Sequence, residues 1–145
     1  MNGLFLLILI AIVGGVAVTL QGQFMGSMDL NLGTKESVFV TYASGGILIT
    51  LILLFNRGGN LQAWRDVPWY AFTAGILGLI IVGAIGFVVP RLGLAPGFTI
   101  IVAAQFVAAA LIDHFGLFGA AVRSVDPIRT LGLAMLLFSI WLIMR

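Results

Sequence analysis

Charge is scarce in this sequence: 8% of its 145 residues are Asp, Glu, Lys or Arg, none is cysteine, and His114 is the single histidine. Each shortage excludes something. Without cysteine there is no disulfide, no thiolate metal ligand and no thiol nucleophile. One histidine cannot build a His-based metal cluster, and no Ser/His/Asp constellation or phosphate-binding loop accompanies it. The sequence therefore offers no metal site and no cofactor site, and reads as a protein that is not an enzyme. The seven cations are scattered rather than clustered, so nucleic acid is not an expected partner.

Apolar residues, by contrast, make up 61% of the chain, where a soluble domain carries roughly 45–50%. A water-soluble fold of this length leaves too much surface exposed to hide so many. The expectation is an all-α integral membrane protein with the lipid bilayer as its solvent. A helix needs about 20 apolar residues to cross the hydrocarbon core, and five runs approach that length: about 4–21, 38–55, 69–89, 95–112 and 128–144. They are continuous rather than alternating, which argues against a β-barrel. No Lys or Arg precedes Leu4, so the first run reads as a first transmembrane helix rather than a signal peptide. Pro68 and Pro127 suit the first position of the third and fifth helices, with Asp126 as N-cap of the fifth. Trp64, Trp69 and Trp141 fall near span ends, where aromatic rings anchor at the interface. The connections 22–37, 56–67, 90–93 and 113–125 hold no linker that would separate domains, so 1–145 is expected to be a single transmembrane domain.

Five spans put the two termini on opposite sides. The side of the N-terminus would carry Arg57, Arg65, Arg123 and Arg129, and the other side Lys35, Arg91 and Arg145. Cations normally gather on the cytoplasmic side; here they divide almost evenly. Either other determinants fix one orientation, or the chain inserts both ways and pairs with itself as an antiparallel homodimer of ten helices. The second reading reproduces, with identical chains, the inverted repeats on which many transporters are built.

No charged residue occupies the middle of a span, which weakens a mechanism based on a proton-exchanging carboxylate. The candidates for a substrate crevice are neutral: Gln21, Gln23, Tyr42, Ser44 and above all Gln105, the deepest large polar side chain. A glutamine amide at membrane depth needs partners, supplied by a neighbouring helix or by substrate and water. Asp113 and His114 close the fourth span as a candidate proton- or ion-linked pair, or as an interfacial turn. Gly75, Gly78, Gly83 and Gly86 share one side of the third span and suit close helix packing.

The stretch from Gln105 to Gly119 ends in Asp113-His114-Phe115-Gly116 and resembles the YdcZ-like short five-helix branch of the drug/metabolite transporter superfamily. The resemblance continues through Gln21, Leu32-Gly33, Gly46, Pro90 to Gly93, Arg129 and Gly132. It departs at Met25 and at Tyr42-Ala43, where that branch often has Asn and Ser-Phe. It implies an all-helical, multi-pass bacterial inner-membrane transporter-like fold, completed by pairing, as two chains or as a fused ten-helix duplication. Such a protein would move a small metabolite or hydrophobic compound by alternating access. A non-transporting membrane assembly or scaffold is the alternative.

Overall fold

The computed structural model describes residues 2–145, and they are helical almost throughout. Five α-helices follow one another: α1 (Asn2–Leu32), α2 (Thr34–Phe55), α3 (Ala74–Leu92), α4 (Leu94–Phe115) and α5 (Pro127–Ile143). Short 3₁₀ segments, Leu61–Asp66 and Trp69–Thr73, lead into α3, and a third, Leu117–Gly119, follows α4. The all-α expectation is met. Four segments are long and apolar enough to cross a membrane: Gly3–Leu32, Thr34–Phe55, Trp69–Leu92 and Leu94–Phe115. The last helix, Pro127–Ile143, is shorter at 17 residues, which at 1.5 Å per residue gives about 26 Å. The chain forms two compact units, one ending at Arg91 and the other Leu92–Arg145.

The helix ends differ from the hydropathy reading in instructive ways. α1 does not stop near Gln21 but runs through Gly22 and Gly26 to Leu32. Its polar residues do not break it because they bond back onto its own carbonyls: Ser27 Oγ donates to the Gln23 carbonyl at 3.2 Å, and Asn31 Nδ2 to the Ser27 carbonyl at 2.8 Å. The break comes at Gly33, whose φ of 100° and ψ of 162° suit glycine and hardly any other residue. The same happens at the third connection. α3 continues through Pro90 and Arg91, and Gly93, with φ 92° and ψ 159°, starts α4 afresh. Pro68 sits one position before the 3₁₀ segment rather than inside it. At α5 the expected start is found: Asp126 Oδ1 accepts from the Arg129 N–H at 2.7 Å, and Pro127 opens the helix.

In the first unit, α3 packs on α1 and α2 through its glycine side. Met25, Ile85 and Val89 are buried there, together with Gly22, Gly26 and Gly86. Most other large apolar side chains of the described residues are exposed on the chain itself, as expected where lipid or a second chain is the neighbour.

Candidate functional site

Polar side chains at membrane depth sort into two groups. Thr19, Thr41, Thr50, Thr99 and Ser139 each donate to a carbonyl one turn back, at 2.7 to 3.0 Å. Ser44 donates to the Thr41 carbonyl at 3.1 Å. These hydroxyls are satisfied within their own helices. The glutamines are not: the amides of Gln21 and Gln105 have no hydrogen-bond partner among the described residues. Such a group in hydrocarbon costs several kcal/mol, of order ~4–8 against an environment that cannot hydrogen-bond. Something outside the chain must satisfy it.

Gln21 lies in a groove of about 550 Å³ on the first unit, between α1 and α2. Thr41 and Ser44 supply the other polar groups, and the walls are apolar, with Leu20, Phe24, Met28 and Leu48 prominent. Two of the crevice candidates, Gln21 and Ser44, thus come together. Gln23 is exposed elsewhere on α1, and Gln105 is exposed midway along α4. Tyr42 turns instead toward α3, with its hydroxyl against Gly78.

The glycine side of α3 is placed by contact. A Cβ on Gly83 would lie 3.7 Å from Val38, and one on Gly86 3.2 Å from Met25 and 3.5 Å from Ser37, whereas Gly75 faces open space. Gly78, Gly83 and Gly86 therefore let α3 approach its neighbours closely; Gly75 does not contribute to that contact.

Asp113 and His114 shape the turn that follows α4. The helix ends with Gly116 in the left-handed region, φ 61°, its N–H bonded to the Ile112 carbonyl, the usual way to satisfy a helix C-terminus. The chain then doubles back. The Arg123 N–H donates to the Asp113 carbonyl at 2.9 Å, and the Val125 N–H donates to His114 Nδ1 at 3.2 Å. The imidazole also meets the Phe115 ring edge-on at 4.8 Å. The Asp113 side chain, half-buried, lines a second groove of about 530 Å³ with Phe106, Arg129, Gly132 and Leu136. Asp113-His114-Phe115-Gly116 is thus the stretch that turns the chain from α4 toward α5. Residues 6–142 match the model of a family described as "Putative inner membrane exporter, YdcZ".

The chain belongs to this YdcZ family. It is accordingly a multi-pass inner-membrane protein, and the family's description names an exporter and not an enzyme. Comparison with curated proteins and with solved structures returned no match.

One cluster escaped the reading of the sequence. Arg91, near the end of α3, donates to Asp29 Oδ2 on α1 at 2.9 Å. The Thr34 hydroxyl donates to the other carboxylate oxygen. The Asp29 side chain is 3% exposed and that of Arg91 48%. Arg91 also donates to the Phe87 carbonyl at 2.7 Å and stacks on the Phe87 ring, 3.7 Å from its centroid. The partners are 62 residues apart, and the signal that could have found them is that their two connections lie on the same side of the membrane.

Proposed function

We propose that two chains, each crossing the membrane five times, pair antiparallel and export a small neutral, zwitterionic or hydrophobic compound. Alternating access would take place around a central crevice. The observation that carries this reading is the groove of Gln21, Thr41 and Ser44: an apolar cleft with a few convergent polar groups, the common form of a small-molecule site. Its unpartnered amide has a use only if water, substrate or a second chain reaches it. The scarcity of charge fits the substrate class, because no mid-span carboxylate is present to select a cation. The near-even split of cations fits insertion in both orientations. α5, at about 26 Å, is long enough for a thin or locally adjusted bilayer to accommodate it as the fifth span.

The absence of cysteine gives a background-free test. Ser44→Cys or Gln105→Cys, in otherwise unaltered protein in membranes, should react with a water-soluble maleimide and be protected by transported compounds. Complete protection of both positions, with no compound added, would contradict the crevice and leave the non-transporting assembly as the better account.

A further inference from the structure

The two single-glycine turns are not an isolated coincidence. Shifted by 60 residues, the end of α1, its glycine and α2 fall on the end of α3, its glycine and α4 in chain order. The first helices end at Leu32 and Leu92, and the turns are Gly33 and Gly93 with nearly equal φ and ψ. The second helices are each 22 residues long and end at Phe55 and Phe115, with Asn56 and Gly116 as C-caps. In each turn the residue four beyond the glycine bonds back to it: the Ser37 N–H donates to the Gly33 carbonyl, and the Gly97 N–H to the Gly93 carbonyl, both at 3.1 Å. Burial follows the same shift. Met25, Gly26, Asp29 and Ser37 are buried, and so are Ile85, Gly86, Val89 and Gly97. Each of the paired glycines also meets the facing helix: a Cβ on Gly26 would meet Val89 of α3 at 3.3 Å, and one on Gly86 would meet Met25 of α1 at 3.2 Å.

Against this repeat, one buried position differs in charge. Where α3 carries Val89, α1 carries Asp29, and the Asp29 carboxylate is held by Thr34 and by Arg91 across the helix contact. An aliphatic residue occupies the equivalent buried place in the other copy, so packing alone does not require a carboxylate there. An ion pair with one half-exposed partner adds little to stability, and apolar groups often replace a buried charge and its partner without loss, so stability gives no strong reason for the pair either. We infer that the chain is built from two copies of a helix–glycine–helix unit, and that Asp29–Arg91 is a strap added to one of them. It ties α1 to α3 beside the Gly33 turn and must release for that end of the first unit to open. Its purpose rests on the alternating-access reading above. The geometry suits a strap. Asp29 is enclosed, but Arg91 is half-exposed and keeps contacts to Phe87 of its own helix, so on release the guanidinium can turn to water without becoming a buried unpaired charge.

The test uses Ser37, which is fully buried and which α3 covers at Gly86. Full-length Ser37→Cys protein in permeabilised membranes is labelled with a water-soluble maleimide, alone and combined with Asp29→Val or Arg91→Gln. Asp29→Val, which copies the residue at the equivalent position, should remain folded with an unfolding temperature no lower than its parent. Both strap variants should label roughly tenfold faster, the effect of a modest shift between closed and open populations. Unchanged labelling in both variants would overturn the strap. A clear fall in the unfolding temperature of Asp29→Val would overturn the equivalence of positions 29 and 89. Ser44→Cys labelled in parallel reads the crevice, so failure of the proposed function shows at Ser44 and failure of the strap at Ser37.

Discussion

Gly86 of α3 faces Met25 of α1 so closely that a Cβ on it would stand 3.2 Å from the Met25 methyl carbon. In a bilayer, helices gain little from hiding apolar surface from each other, because lipid is equally apolar; contact comes from close packing at small residues. The glycines of α3 therefore hold the first unit together, and their tolerance of substitution depends on what each one meets.

At Gly86 the obstructing atom is the end of a flexible side chain. Gly86→Ala should be close to neutral, because the shift of Met25 is offset by the helix preference of Ala over Gly, about 1 kcal/mol. Gly86→Leu overfills the same contact and should cost about 1–3 kcal/mol. Reversible unfolding of the two variants in mild detergent, titrated with a denaturing one, would show the difference.

Gly78 gives the opposite pattern. A Cβ there would run into the Tyr42 hydroxyl, while the ring carbon that bears it would be 3.5 Å away. Gly78→Ala should therefore destabilise, and Tyr42→Phe, which removes only the obstructing oxygen, should recover most of the loss. A double-mutant cycle checks this, with an expected coupling of about 0.5–3 kcal/mol. Additive effects would mean that Tyr42 does not lie over Gly78.

Gly116 is constrained twice, by its φ of 61° and by Val122, which a Cβ would approach to 2.7 Å. Gly116→Ala should cost about 1–2 kcal/mol from the left-handed backbone alone. Adding Val122→Ala should relieve the crowding but not the backbone term. Thermal unfolding of the single and double variants would separate the two.

Much of the helical layout was legible because hydropathy and turn chemistry agree in the later helices. Asp126 and Pro127 mark the start of α5 correctly, and the Asp-His-Phe-Gly stretch identifies the family. The end of α1 was not legible. Hydropathy counts Gln21, Ser27 and Asn31 as polar, yet it cannot register that Ser27 and Asn31 bond to their own helix. The strap was hidden for another reason: Asp29 and Arg91 each look like an interfacial charge, and only packing of α1 on α3 brings them together. The 60-residue repeat was visible in principle through Leu32-Gly33 and Leu92-Gly93, but little else in the two stretches is identical. What repeats is the length of the second helix, the backbone angles of the glycine and the pattern of burial, and these become apparent in the fold.

The proposed antiparallel pair of exporters stands most directly on orientation. Met144→Cys places one thiol near the end of α5 without altering any charge. It should be labelled in part from each face of the membrane by an impermeant maleimide applied first outside and then, after permeabilisation, inside. Comparable fractions reacting from the two faces are the predicted result. Complete labelling from one face alone would contradict the account.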